Sequence, residues 1–512
     1  MSMRLLTNFR WWRTGELSSM IVEGDRVVLA PEIHSLEHHS GYELVDCGGK
    51  ILLPKFIDSH CHVLPTGLDL LKLDLSSFGT RQEVLDAVRD WSHAGNGSSE
   101  GWILAVQYNQ TKFHDSRHIT IQELDAISNR PILIRHSNGH ASVANSAALR
   151  AAGVSDSTPN PAGGEYGRDA SGRLNGVLFE TAHEYVTSCA PQPGLNEMVE
   201  AILAAGVKMA ELGIGTASDM MTGRFDLGLE LQAYQIAAER GCPIRTRLYV
   251  QWREVFGPKG VGVEAFRDLE AGFTNPNRTK VAGVKLFADG AIGSATAAIY
   301  GQYSGAESNG VVISPFAKPT EALNTSGQLI YSAEKLKTMV MIASEAGYQV
   351  AVHSIGDYST DLVLDAFEAT GCASRHRLEH AMLLSDSQIE RLTQLNPFVT
   401  FQPEFLLRFG GTYLKQLGPE RTSLLKRSRS VIDAGLRLSF SSDRPIVPGD
   451  PRDGIRFAVE RGEGFSSAEN ISFEEAVDAY TGQGAMVNGD LGLMGTLGEG
   501  ELADYQLVDS VI

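Results

Sequence analysis

The feature that most constrains the fold is an alternation of short apolar runs with longer segments of helical period. Eight runs rich in branched residues predict buried strands: Ile51 to Ile57, Ile214 to Ser218, Ile244 to Val250, Val281 to Phe287, Tyr348 to Val352, His376 to Leu378, Phe398 to Phe401 and Leu436 to Phe440. Helices are predicted between most of them, for example Glu197 to Leu212, Ser332 to Ala346, Ser359 to Thr370, Ser385 to Leu395 and Thr422 to Ala434. This pattern favours an α/β fold, a TIM-like (β/α)8 barrel, over the alternative of an open doubly wound sheet.

One interval between predicted strands is too long for a simple crossover. More than 150 residues separate Ile57 from Ile214, whereas a crossover with its helix needs only about a dozen. The interval carries strand-like runs at Trp102 to Tyr108 and Pro131 to Arg135, then a Gly/Pro-rich section, Gly153 to Gly176. We therefore predict a barrel of residues 51–489 with a subdomain inserted after its first strand, at about residues 76–200. Such insertions commonly shape access to the barrel mouth.

The first 50 residues predict short strands that cannot form a core alone. Candidate strands are Met20 to Val22, Arg26 to Leu29 and Tyr42 to Val45, and their apolar content is too small for an independent domain. A further turn and strand lie near the other end of the sequence, at Ala503 to Val508. We expect residues 1–50 and 490–512 to form one small β-sandwich domain.

Composition and charge restrict the classes of partner. Hydrophobic residues make up 43% and charged residues 21% of the 512 residues, as in a soluble globular protein. A formal net charge of -18 leaves no basic surface to neutralise phosphates, which argues against nucleic acid and membranes as partners. No run approaches the ~18 apolar residues of a membrane span, and no targeting segment is visible. Five scattered cysteines without a Cys-x-x-Cys pair favour a reducing cytoplasm.

Two histidines close the first predicted strand. His60 and His62 are two residues apart, so on a strand their imidazoles point the same way and can bind one ion. Two ordinary strand-end histidines are the alternative for this stretch alone. Cys61 lies between them and faces the opposite side, so we interpret it as barrel packing.

Further residues of the metal-binding type follow at later strand ends. Lys285 lies in the fourth predicted strand, His353 follows the fifth, His380 the sixth and Asp443 the eighth. Taken singly, the histidines could cap backbone carbonyls, the lysine could extend to solvent and the aspartate could form a turn. A barrel gathers its strand ends at one catalytic face. The joint occurrence therefore favours a metal site over chance.

The sequence around these residues resembles the amidohydrolase superfamily of metal-dependent hydrolases, in particular amidohydrolase family 3, which includes the N-substituted formamide deformylases. The matching stretches are Phe56 to His62, Gly139 to Leu149, Val284 to Ser294, Ala351 to Asp357, Arg375 to Ala381 and Ser442 to Pro445. Lys55 departs from the pattern, because such proteins usually have glycine there. This departure affects only the local turn geometry.

The resemblance implies a metal centre with assigned ligands. His60 and His62 bind a first ion together with Asp443, and His353 and His380 bind a second. Lys285 bridges the two as N6-carboxylysine, because its neutral amine takes up carbon dioxide and becomes an anionic carbamate. A set of nitrogen and oxygen ligands without thiolate favours Zn²⁺, with Mn²⁺, Fe²⁺ or Ni²⁺ as alternatives.

The resemblance also implies a reaction, hydrolysis of a C–N bond in a small amide- or formamide-like molecule. A metal-activated hydroxide attacks, and Asp443 acts as general base and then as general acid. His140 contacts the substrate or the oxyanion, or is a structural loop histidine. A deaminase, an ester or cyclic-amide hydrolase and a non-catalytic metal-stabilised scaffold are the alternatives. A homodimer is the expected assembly.

Three remaining glycine-containing segments are given an expected place or role. Gly163 to Tyr166 is expected at the barrel mouth. Asp289 to Gly293 lacks the lysine and hydroxyl pair of a phosphate loop, so its glycines serve the backbone conformation. Gly301 to Gly327 predicts a long loop after the fourth strand.

Overall fold

The computed structural model describes residues 3–32, 41–94, 101–137, 139, 141–161, 164–304 and 325–512. The chain divides into two compact units. Of the described residues, the first unit contains those within 3–64, 205–304 and 325–512, and the second contains those within 65–204. None of the helices in the described ranges has the length and apolarity that a bilayer crossing requires.

Eight parallel strands form the central sheet of the first unit, and their spatial order follows the chain. They are β1 (Phe56–Cys61), β2 (Ile214–Thr222), β3 (Arg245–Gln251), β4 (Thr279–Phe287), β5 (Val350–Ser354), β6 (Arg377–His380), β7 (Phe398–Phe401) and β8 (Arg437–Phe440). Beyond β8, the amide of Asp443 bonds the carbonyl of His60, and the amide of His62 bonds the carbonyl of Arg444. The sheet is nearly closed, which confirms the predicted barrel.

Helices follow most barrel strands. In the first unit they are Leu227–Glu239, Trp252–Phe256, Val263–Ala271, Ala333–Glu345, Asp357–Ala369, Asp386–Leu395, Glu404–Thr422, Ser428–Asp433, Pro451–Val459, Phe473–Ala479 and Gly482–Val487, and Leu195–Glu211 enters from the second unit. The predicted helix Thr422 to Ala434 is wrong in its first half, because one helix ends at Thr422 and the next begins at Ser428. Lys426 between them has a φ of 48°, a left-handed conformation that an α-helix excludes.

The first predicted strand, Ile51 to Ile57, is two strands in two different sheets. Ile51–Pro54 pairs antiparallel with Tyr505–Val508, whereas Phe56–Cys61 begins the barrel. Proline lacks an amide hydrogen and often ends a paired strand, and the chain changes sheets directly after Pro54. At this change the amide of Lys55 donates to the carbonyl of Asp504 over 2.8 Å.

The strands at the two ends of the sequence form one six-stranded sheet. Its order is Tyr505–Val508, Ile51–Pro54, Met3–Trp11, Leu17–Glu23 and Arg26–Glu32, and Glu43–Asp46 also pairs with Met3–Trp11. The strand Met3–Trp11 has no counterpart among the predicted strands. Trp11 ends this strand and Trp12 follows it, and both are buried. The division into domains and the sandwich of two layers stay predictions.

The second unit is built on a separate six-stranded sheet. Its order is Gly164–Arg168, Leu174–Glu180, Ala141–Ala144, Ile132–His136, Ile103–Tyr108 and Leu73–Asp74. Its helices are Arg81–His93, Ile121–Asp125, Ser146–Ala151 and Thr181–Ser188, and Val63–Leu70 lies at the boundary with the first unit. Two apolar clusters pack this unit, one around Val88 and one around Leu149. Most of the predicted loop Gly301 to Gly327 lies outside the described residues.

Candidate metal centre

The barrel brings six of the predicted site residues to the carboxyl ends of its strands. His60 and His62 lie at the end of β1, Lys285 in β4, His353 in β5, His380 at the end of β6 and Asp443 just after β8. Five of them are buried and His353 is half-buried. His140 lies outside the described residues, so its predicted contact with substrate stays a prediction.

Three of these residues form a compact donor group. Nε2 of His62 lies 2.9 Å and Nε2 of His60 3.5 Å from Oδ1 of Asp443. One donor atom of each residue lies within 4.8 Å of the other two. Within the described part of the chain, Nδ1 of His62 is buried without a hydrogen-bond partner. Two imidazoles and a carboxylate suit Zn²⁺, and also Mn²⁺, Fe²⁺ or Ni²⁺.

Lys285, His353 and His380 surround this group. Nζ of Lys285 donates to Nε2 of His60 over 3.3 Å. The ring centre of His380 lies 4.6 Å from that of His60 and 4.5 Å from that of His353. Nε2 of His353 donates to the carbonyl of Gly290 over 3.0 Å, which leaves Nδ1 of His353 for a ligand. The chain therefore offers nitrogen donors for a second ion beside the first.

Burial sets the protonation of these groups. It lowers the pKa of His353 to about 4 and holds the pKa values of His60 and His380 well below the usual range, with a further contribution from nearby Lys285. These imidazoles are therefore neutral near pH 7, which metal binding requires. Burial also lowers the pKa of Lys285 to about 8. Near pH 7 a larger share of Lys285 is therefore neutral amine than of an exposed lysine.

A buried ion pair orients the ring of His60. Nδ1 of His60 donates to Oε2 of Glu379 over 2.6 Å, which fixes the proton on Nδ1 and makes Nε2 the atom with the lone pair, the one to which Lys285 donates. Oε1 of Glu379 accepts from Nε of Arg377 over 2.6 Å. Arg377 also donates to the carbonyl of Ser59 over 2.7 Å and stacks on Tyr249. The sequence prediction missed this pair, although two charged residues two apart in a buried strand were a usable signal.

Asp58 joins β1 to the segment that carries Asp443. Its carboxylate accepts the amide N–H of Ser442 over 3.0 Å and the hydroxyl of Ser442 over 2.5 Å. Asp443 itself has a φ of 60°, uncommon for a residue other than glycine. Such backbone strain persists only where the surrounding bonds hold it. Burial raises the pKa of Asp58 to about 6.

The segment after β4 is held by one buried carboxylate. The carboxylate of Asp289 accepts the amides of Ala298, Ile355 and Gly356 over 2.8 to 2.9 Å, and the hydroxyl of Ser359 over 2.7 Å. These bonds connect the residues after β4 with those after β5. They match a backbone role for this segment, and an anionic carboxylate, which only accepts hydrogen bonds, offers nothing to a phosphate.

Cys61 packs against the neighbouring strand. Its side chain is fully buried, and Sγ lies 3.4 Å from the carbonyl of Ser218 in β2. Burial holds its pKa well above the usual range for a thiol, so it stays protonated and is a poor metal ligand.

Comparison with known proteins gives consistent matches over nearly the whole length. A family model described as the amidohydrolase family matches residues 43–511. A Bacillus subtilis protein named as an amidohydrolase, YtcJ, is 29% identical over 97% of this chain and 93% of its own length. The N-substituted formamide deformylase of Arthrobacter pascens is 26% identical over 91% of this chain and 85% of its own length. The crystal structure of an uncharacterized metal-dependent hydrolase from Pyrococcus horikoshii OT3 superposes with a TM-score of 0.79 at 27% identity, covering 99% of this chain and 98% of that one.

Proposed function

This chain belongs to the amidohydrolase family, and on that premise we propose that it hydrolyses a C–N bond in a small amide- or formamide-like molecule. The observation that carries the proposal is the buried donor group of His60, His62 and Asp443 at the catalytic face of the barrel. The similarity to a formamide deformylase supports the substrate class.

The donor groups would hold one or two divalent ions. His60, His62 and Asp443 would bind the first, and His353 and His380 the second. A bound ion, best Zn²⁺, would supply Lewis-acid chemistry that polarises a carbonyl and makes a water more acidic near neutral pH. Lys285 would join the two sites as a carbamate, and its lowered pKa supplies the neutral amine that this modification needs.

Asp443 would move the protons of the reaction. Its carboxylate lies 2.9 Å from Nε2 of His62, and its side chain keeps 12% of its surface exposed, so both the ligand group and an entering molecule can reach it. It would accept a proton from the attacking water and then deliver that proton to the nitrogen of the leaving amine. His140 stays a candidate for contact with the substrate.

The carbamate on Lys285 can be tested directly. We expect a mass increment of one carbon dioxide on Lys285, or electron density beyond Nζ that reaches both ions. An unmodified lysine in a fully metallated, active enzyme would contradict the bridge and would leave the rest of the proposal in place.

The reaction itself is tested by a substrate panel. Protein loaded with zinc, manganese or nickel is assayed on N-substituted formamides, other amides, cyclic amides, esters and aminated heterocycles, with amine, ammonia and acid measured separately. We expect release of an amine and an acid, and loss of this activity in Asp443→Asn. Release of ammonia alone would favour a deaminase, and turnover of esters or cyclic amides alone would favour that alternative. Absence of any turnover would favour a metal-stabilised scaffold.

A further inference from the structure

A second buried lysine lies behind the candidate ligand His380. Lys426 follows the helix Glu404–Thr422 and is 1% exposed. Its Nζ donates to the carbonyl oxygen of His380 over 2.8 Å and to Oε1 of Gln402 over 2.7 Å. Burying a lysine amine is costly unless its donors are bonded. The two hydrogen bonds therefore offset part of the cost of burying this amine.

Gln402 connects this lysine to the ring of His380. The Gln402 side chain is fully buried directly after β7, and its Oε1 accepts from Nδ1 of His380 over 2.8 Å. Its Nε2 donates to the hydroxyl of Ser441 over 2.9 Å. A hydroxyl can donate or accept, so Ser441 alone does not decide which way the amide points. Lys426 does decide, because its Nζ donates and the oxygen of the amide must therefore face it.

The direction of this amide determines where the proton of His380 sits. With Oε1 toward the ring, Nδ1 carries the proton and Nε2 keeps the lone pair that binds a metal. A reversed amide would donate to Nδ1, and the proton would then move to Nε2 and block that ligand atom. The amide orientation thus affects the candidate metal site through the tautomer of His380, without a direct contact between the amide and the ion.

The same lysine also holds a strained turn. His380 and Ala381 have φ values of 68° and 38°, in the left-handed region that residues with a Cβ rarely adopt. Nζ of Lys426 bonds the carbonyl of His380, and its backbone amide bonds the carbonyl of Met382 over 2.9 Å. Two bonds from one residue therefore flank the turn that carries the ligand.

We propose that Lys426 is a positioning residue that fixes the Gln402 amide, and through it the proton of His380, so that Nε2 of His380 is available to a metal. The consequence for metal binding rests on the proposed metal-dependent function. The position of the proton does not, because it is a property of the metal-free chain.

Both protonation states of Lys426 are compatible with the inference, and the ammonium form, which has no lone pair, excludes the reversed amide outright. Burial holds the pKa of its side chain well below the usual range. The neutral amine still has two N–H bonds, one for each acceptor, so both protonation states can hold the amide in the same direction.

Lys426→Met is the primary variant, because methionine keeps the length of the side chain and removes its donors. Lys280→Met is the matched control: Lys280 donates to Asp490 over 2.7 Å near the start of β4, at the opposite end of the strand from Lys285. Lys426→Met with Gln402→Glu is the rescue variant, because a carboxylate has only acceptors and cannot reverse into a donor.

Two measurements decide the outcome. Nitrogen NMR of labelled histidine in metal-free protein, assigned with His380→Asn, gives the tautomer of His380. Metal affinity is measured by zinc titration against a competing chelator. We expect Lys426→Met to populate the Nε2–H tautomer and to lose about 10- to 100-fold in zinc affinity, the usual range for residues that orient a ligand. We expect the rescue variant to recover both properties and the control to change neither.

An unchanged tautomer and affinity in Lys426→Met would overturn the proposal, as would an equal loss in Lys280→Met. If Lys426→Met fails to fold, Gln402→Met removes the acceptor that Lys426 and His380 share and carries the same expectations. A wild-type protein that binds no zinc would count against the proposed function, while the NMR measurement would still test Lys426.

Discussion

The backbone amide of Asp443 donates to the carbonyl oxygen of His60 over 2.7 Å. One bond therefore joins a residue after the last barrel strand to a residue of the first, and both residues belong to the candidate metal group. Asp58 reinforces the junction through Ser442. Closing the barrel and assembling the donor group are consequently one structural event.

Asp443→Asn is expected to lower kcat by about 10²- to 10⁴-fold with a much smaller change in KM, because the amide cannot accept the proton that the reaction transfers. Steady-state kinetics on the best substrate of the panel measure this split. Metal content is determined in parallel, so that a lost ion is not mistaken for a lost base. A variant with full metal content and near-normal turnover would rule out this role for Asp443.

Glu379→Gln is expected to weaken metal binding by about 10- to 100-fold. In the wild type, His60 and Arg377 each donate to one carboxylate oxygen of Glu379 over 2.6 Å. The glutamine amide has a single oxygen, so it can accept from only one of them in the same way. If its oxygen turns to Arg377, its NH2 group faces Nδ1 of His60 and moves the ring proton to Nε2. Chelator competition measures the affinity.

Glu469→Gln is the matched control for this change, because Glu469 is also a buried carboxylate that accepts from an arginine, Arg427, over 3.1 Å. Equal losses of metal affinity in the two variants would contradict a specific role of Glu379.

Glu230 should make stability depend on pH. Burial raises the pKa of this carboxyl from 4.5 to about 7. The folded state then holds a proton that the unfolded state releases, so stability falls as the pH rises from about 4.5 to about 7 and is level above that. Glu230→Gln should remove this component. Denaturation of both proteins at several pH values tests it. The free energy of unfolding of the variant should rise relative to that of the wild type as the pH increases across that window. Parallel curves of this free energy against pH would contradict the assignment.

Asp490→Ala is expected to lower the free energy of unfolding by about 3 to 5 kcal/mol, because it leaves a buried guanidinium unpaired. Nε of Arg247 lies 2.6 Å from Oδ2 of Asp490, and both side chains are at most 1% exposed. Replacing both residues, with Arg247→Met and Asp490→Leu, should recover most of the loss. Denaturant unfolding measures the effect. A double variant no more stable than Asp490→Ala would show that the pair's contribution is not mainly electrostatic.

The barrel was predictable because its strands are buried on both faces and appear as continuous apolar runs. Where the prediction failed, the deciding contact is distant in sequence. Nothing near Pro54 indicates that Ile51–Pro54 pairs with Tyr505–Val508. Similarly, Lys426 interrupts the predicted helix Thr422 to Ala434, and its backbone amide bonds the carbonyl of Met382, a contact that periodicity does not report.

The candidate ligands were predictable because strand ends converge at one face of a barrel. The residues that orient them were harder to predict. Gln402 is a neutral residue after β7 and Lys426 lies in a connection between helices, so neither has a local pattern that marks it. Their roles appear only when the His380 ring, the amide and the lysine are seen together.

The sheet that combines Met3–Trp11, Ile51–Pro54 and Tyr505–Val508 has a consequence for biosynthesis. Ile51–Pro54 leaves the ribosome long before its antiparallel partner Tyr505–Val508 is translated. Through most of translation, Ile51–Pro54 therefore presents an open edge next to the segment that begins the barrel. A chaperone that shields this edge on the nascent chain would also shield the nearby candidate ligands His60 and His62.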